Sequence, residues 1–241
     1  MRSIRLAIAL LCVIAASVLI GTTPSFLAAQ GASGQRGKAA DEYAATIPKD
    51  VYPDSGNRLP MIKREDMDEA GKKLYDKVAS EINPVPGFRA PPGILLYSQR
   101  LDEHVRGETQ YLRREAALGP RLFELAVLVT ARQFDQQFAW TAHEIAGLKA
   151  GLEPAIIDIV KYRKPVTGLG EKEATIIQLG REAVGKQKVS SDTFARARKV
   201  FGEKGLVDLV AVMGRYASYA VLLNTFDQQL YPGWKPLLPI P

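Results

Sequence analysis

PRLFELAVLVTARQFDQQFAWTAHEIAGLKAG, residues 120–151, decides how the rest of the chain is read. Between Leu122 and Ala131 only Glu124 and Thr130 are not apolar, so a helix here is apolar nearly all round and belongs inside the fold. Its carboxylate is then out of place. Glutamate is seldom buried without a partner, and desolvation disfavours the charged form of a carboxylate, which suits it to proton transfer. The natural partner is His143, nineteen positions on, in a second apolar helical run. Phe134, Phe138 and Trp140 give bulk beside it, while Gln136, Ala139 and His143 share one helical face at i, i+3 and i+7.

Downstream, Gly147 and Gly151 close that helix and Glu153-Pro154 opens another, with Ile156, Ile157, Ile159 and Val160 as its apolar side. After the loop KYRKPVTGLG, a helix from Glu171 to about Lys186 carries Ala174, Ile176, Ile177 and Val184. Ser190-Ser191-Asp192 reads as a helix N-cap cluster, and the helix it starts runs to Phe201. Gly205 then opens the long apolar run Leu206 to Phe226. Asp208, Arg215 and Asn224, with Tyr216, Ser218 and Tyr219 interleaved, mark it as a core or subunit-interface helix and not a membrane span. YPGWKPLLPIP, residues 231–241, holds four prolines and Trp234 and reads as an extended arm that packs on its own domain or on a neighbour.

Upstream, Gly119-Pro120 separates the buried helix from a half-exposed one over Leu101 to Leu118. His104 lies there among Asp102, Glu103 and Arg106, the setting of a solvated surface histidine. Ile94 to Ser98 begins a shorter helix, and PVPGFRAPPG before it reads as a loop that can line a pocket mouth. Its Arg89 is a candidate anchor for an anionic substrate, with a solvated loop arginine as the plainer reading. A first helix is predicted from Lys63 or Arg64, with Leu74, Val78 and Ile82 as its stripe and Met67 and Tyr75 beside it. Residues 30–60, rich in Gly, Ser, Ala and Pro, read as a flexible leader and extended arm before a helical domain over 61–230. No stretch alternates with period two, so the expected fold is all-α, a compact helical bundle with arms at both ends.

The first residues read as targeting and not as fold. Arg2 and Arg5 precede the apolar run Leu6 to Ile20, and small residues follow around Ala28 and Ala29, the pattern of a secretory signal peptide over 1–29. The protein is therefore expected outside the cytoplasm, periplasmic or secreted, with a retained signal anchor as the alternative and no stable span once the signal is removed. The single cysteine, Cys12, lies inside the apolar run, so a processed chain has no thiol for disulfides, metal sites or a peroxidase cycle. The net charge of +6 falls to +4 without Arg2 and Arg5, and a mild, evenly spread excess does not mark a nucleic-acid binder. With His104 as the only other imidazole, no three-ligand metal set is expected. Asp135 and Glu144 are near in sequence, but Glu144 points about 100 degrees away from its neighbour His143 on a helix.

The spacing of Glu124 and His143 resembles the alkyl hydroperoxidase D and carboxymuconolactone decarboxylase family. Its peroxidase members read Glu, eleven residues, Cys-x-x-Cys, three residues, His. With Glu124 and His143 in that frame, the cysteine positions fall on Gln136 and Ala139. The resemblance extends back through RLPMIKREDMDEAGKKLYDKV and GFRAPPGILLYSQRLDEHVRGETQYLRREAALGP, about two thirds of the processed chain. It implies a bundle of the alkyl hydroperoxidase D-like type that assembles as a homotrimer or homohexamer. The departure at the cysteines leaves the proton relay without the thiols it serves in the peroxidase members.

A carboxylate holding an imidazole suits proton abstraction next to a carbonyl, or protonation of an enolate after loss of carbon dioxide. The decarboxylase branch that the chain resembles implies a small organic acid or lactone as substrate and needs no cofactor. On that reading His143 is the general acid or base and Glu124 orients it. Gln136 binds a substrate oxygen, Trp140 is a pocket wall, and Ala139 leaves a small gap. Arg132 is a candidate counter-ion for Glu124, with a helix-end salt bridge as the equal alternative. The rival function is an oligomeric, non-catalytic binding protein for a small aromatic or apolar acid. Peroxidase activity is not expected, because no residue can form a sulfenic acid.

Overall fold

The computed structural model describes residues 41–81 and 88–240. The expected signal peptide with Cys12, the first part of the leader, Ile82 and the proline-rich residues 84–87 lie outside the described residues. Among those described the chain is all-α, and the one non-helical pairing is an isolated antiparallel bridge between Tyr52 and Asn57. Helix α1 spans Glu69–Glu81, α2 Ala90–Leu95, α3 Gln99–Arg114, α4 Gly119–Gln133, α5 Gln137–Lys149, α6 Pro154–Lys161, α7 Glu171–Gly180 and α8 Ser191–Thr225. A 3-10 turn at Arg64–Asp66 precedes α1, and a π-helical turn, Arg181–Lys186, prolongs α7.

Helix α4 is the axis of the bundle because its sequence gives it no solvent face. Every residue from Phe123 to Arg132 is buried, and α3, α5, α6, α7 and α8 pack around it. Pro120 stands in its first turn, where a missing N–H costs nothing. Close packing against α7 depends on Gly180, where an added Cβ would lie 2.3 Å from Val129 Cγ1. Against α5 the small residue is Gly147, where a Cβ would sit 3.6 Å from the Cβ of Glu124. That is an ordinary contact distance, so Gly147 lies against Glu124 without the crowding seen at Gly180.

Helix α8 starts where expected, with Ser190 Oγ accepting from the Thr193 backbone N–H. It breaks at Gly202, whose φ of 67° is left-handed and open to glycine without strain. Beyond the break, Leu206, Leu209, Val212, Met213, Tyr216, Ala220 and Leu223 face the core. By length and composition the helix could cross a membrane, yet this face is packed inside the bundle. Val207, Val210 and Val221 on its other side are exposed.

The short helix before α3 differs from expectation. The sequence placed Gly93 in a loop and began a helix at Ile94, whereas α2 starts at Ala90 with Pro91 and Pro92 in its first turn. Two prolines there remove only N–H groups that no helix turn could satisfy. Nor is Arg89 solvated. It is buried, donates to the Pro53 carbonyl (2.6 Å) and the Tyr43 hydroxyl (3.2 Å), and lies over the rings of Tyr43 and Tyr231.

Around this arginine the two ends of the domain are tied together. Residues 48–60 form successive turns, and Gln228, buried beneath them, accepts from Ala90 N and Asn57 Nδ2 while donating to the Gly56 carbonyl. Backbone bonds from Arg58 N to Phe226 O and from Gln229 N to Gly56 O complete the tie. The proline-rich tail folds back on its own domain: Leu238 is buried, Leu237 N donates to Thr141 Oγ1, and Trp234 stacks on Phe138.

Candidate active site

The two residues singled out first are brought together. Glu124, one turn into α4, and His143, in the middle of α5, meet with Nδ1 2.6 Å from Oε2. Both are sheltered, with 8% of the glutamate side chain and 14% of the histidine side chain exposed. An ionised carboxylate only accepts, so a neutral imidazole facing one holds its proton on Nδ1 and presents the Nε2 lone pair. The contact therefore fixes one tautomer and leaves one ring nitrogen for chemistry.

Two further side chains complete the cluster, and the sequence reading missed both. Arg113, at the end of α3, brings Nη1 to 3.9 Å from Glu124 Oε1 and donates from Nη2 to the Tyr216 hydroxyl. Its guanidinium lies over the ring of Phe123, 4.9 Å from the centroid. Burial works to lower its pKa, but the Tyr216 oxygen and the Glu124 carboxylate outweigh this and raise it above the ordinary arginine value. Burial in turn pushes the Tyr216 phenol well above the ordinary tyrosine value, so it is a neutral hydroxyl at physiological pH. Its ring stands edge-on to His143, with centroids 4.9 Å apart and planes at 88°. Tyr219, one turn on, packs on Tyr216 and bonds Thr109 Oγ1.

The remaining expected site residues lie elsewhere. Arg132 is not the counter-ion of Glu124: it pairs with Asp135 and donates from Nε to the Lys161 carbonyl, which is the helix-end alternative. Arg113 has the place assigned to it. Gln136 is the N-cap of α5. Its oxygen accepts from Ala139 N and its nitrogen donates to Asn224 Oδ1, which leaves no free amide for a substrate at the pair. It lines a separate cavity of about 800 Å³ beside the tail. Trp140 is fully buried and gives its indole N–H to Glu144, so it is core and not a pocket wall. Ala139 is buried next to it. Glu144 turns away from His143, as its position predicts, and pairs with Lys161. His104 is exposed. Among the described residues no three His, Cys, Asp or Glu side chains gather to hold a metal ion.

What could have pointed to Arg113 is faint. It is one of four arginines between residues 100 and 114, and nothing in their spacing says which reaches Glu124. Tyr216 was visible as a polar interruption in an apolar run, and that signal placed its helix in the core without naming a partner. The sequence matches no protein-family model and no curated protein. The geometry of the cluster is therefore what any functional reading has to stand on.

Proposed function

We propose that this chain is a carboxymuconolactone decarboxylase-like protein acting as a cofactor-free acid–base enzyme on a small organic acid or lactone, exported to the periplasm or beyond. The observation that supports it best is the sheltered 2.6 Å contact between Glu124 and His143 Nδ1. In this reading His143 Nε2 takes a proton from carbon next to a carbonyl, or returns one to the enolate left when carbon dioxide departs. Glu124 holds the ring and offsets the positive charge it gains. Arg113, charged and already beside Glu124, supplies the field for a developing enolate oxygen. A homotrimer or homohexamer belongs to the same reading, with the exposed valines of α8 as part of its contact surface. Light scattering on the eluted protein tests it, and a clean monomer would oppose it.

The test of function is turnover of a panel of unsaturated lactone acids and β-keto acids. Replacing His143 by Ala or Glu124 by Gln should lower turnover by about 10²–10⁴-fold, the contribution of a positioned acid or base. A second reading, a non-catalytic binding protein for a small acid, is favoured by one observation: neither Glu124 nor His143 lines the neighbouring cavity described below. Carboxylate binding without turnover of any panel member would replace the first reading with the second.

A further inference from the structure

Beside the Glu124–His143 pair, a cavity of about 390 Å³ opens between α2, α3 and α8. Its wall is sorted by chemistry. Pro92, Leu95 and Val105 form an apolar side, and Arg106, Arg113 and Arg114 bring three guanidinium groups against one carboxylate, Asp102. Asp102 is almost wholly buried and already grips Arg106 through both its oxygens. Arg114 is exposed, and its side chain has no ion pair with any described residue. The cavity thus keeps a surplus of positive charge next to an apolar surface, at the small end of the roughly 300–1,000 Å³ that ligand sites occupy.

We infer that this cavity binds the carboxylate of a small organic acid between Arg113 and Arg114, with the apolar body of the acid against Leu95 and Val105. A planar guanidinium offers paired N–H donors that match the two oxygens of a carboxylate, which an amide or alcohol does not. Arg113 is the side chain that both lines the cavity and reaches Glu124 and Tyr216. An anion seated there shares its cation with the pair. Tyr219, which also lines the cavity, packs on Tyr216 and so links the same wall to the ring that abuts His143. The step from binding to reaction rests on the acid–base reading of that pair; the binding itself does not.

The experiment is calorimetric titration of the purified protein with benzoate and adipate, and with neutral benzamide as the control. At least one carboxylate should bind saturably and benzamide should not. Arg114→Gln should weaken binding by about tenfold or more, the effect of losing a charge-assisted hydrogen bond. Arg113→Gln should weaken it further, and Arg198→Gln on the far end of α8 should leave it unchanged. Arg113 also packs on Phe123 and Tyr216, so the exposed Arg114 gives the cleaner variant. Absence of carboxylate binding, or an Arg114→Gln affinity within about twofold of the parent, would overturn the assignment. Binding that obeys this pattern without turnover keeps the site and removes the enzyme. His143-dependent turnover with a KM unmoved by Arg114→Gln does the reverse.

Discussion

Gly180→Ala should destabilise this protein, although the same change in an ordinary helix interior stabilises it by about 0.5–1 kcal/mol. The glycine ends α7 with helical φ and ψ, so its backbone gains nothing from being glycine. The added methyl, however, would lie 2.3 Å from Val129 Cγ1 and 3.2 Å from Met213 Cε, at the crossing of α4, α7 and α8. Ordinary carbon contacts need about 3.5–4.0 Å, so α7 has to back away from α4 by roughly 1 Å or Val129 has to leave its rotamer. Overpacking of this kind costs about 1–3 kcal/mol, and after the propensity gain a net loss of about 1–2 kcal/mol remains. For a domain of this size that lowers Tm by roughly 2–8 °C, readable by calorimetry or circular dichroism. Val129→Ala opens the facing space, so the double variant should lose at least about 0.5 kcal/mol less than the two singles added together. A Gly180→Ala protein as stable as the parent, or strictly additive changes, would refute the close crossing that locates α4 and with it Glu124.

Two other consequences are open to measurement. Glu182, in the π-helical turn, accepts from Ser190 N, from Gln178 Nε2 and from the Thr193 and Ser190 hydroxyls; these bonds lower its pKa from 4.5 to about 2. Its pKa is depressed on folding, so its stabilisation is whole above the unfolded value of about 4.5 and drains away as pH falls towards about 2. Glu182→Gln should therefore flatten stability against pH in that window, and an unchanged slope would contradict the assignment. Gln228→Leu takes the acceptor from Ala90 N, at about 1–3 kcal/mol for a buried group left unpaired, and removes one partner each from Asn57 Nδ2 and the Gly56 carbonyl. Hydrogen exchange should accelerate across residues 48–60, and unaltered exchange there would mean that something else holds the turns.

The central helix was legible because its composition admits one environment: a run from Leu122 to Ala131 with no solvent face has to be enclosed. The Glu124–His143 contact followed from the same fact, since a carboxylate in that run needs a partner. The break near Gly202 was legible too, as a separate helix ending at Phe201 before the apolar run. Periodicity cannot say which cation of a charged helix reaches Glu124, so Arg113 went unread and Arg132 was a candidate in its place. Gln136 was placed on a reactive face by helical spacing, but it precedes the helix and caps it, and a cap spends its polar atoms on backbone. Pro91 and Pro92 suggested a loop because proline breaks helices, although in a first turn it starts them. The turns at 48–60 owe their order to Gln228 and Arg89, distant in sequence, which no local pattern encodes.

The most direct measurement of the central claim follows one proton. Candidate β-keto acids and lactone acids incubated in heavy water with the protein should exchange hydrogen next to the carbonyl, seen by NMR as loss of the carbon-bound proton signal. At least one should exchange with the parent protein, and His143→Gln should slow it by about 10²-fold or more. Exchange that persists undiminished in His143→Gln would contradict the role given to the imidazole, as would an entire panel left untouched by the parent.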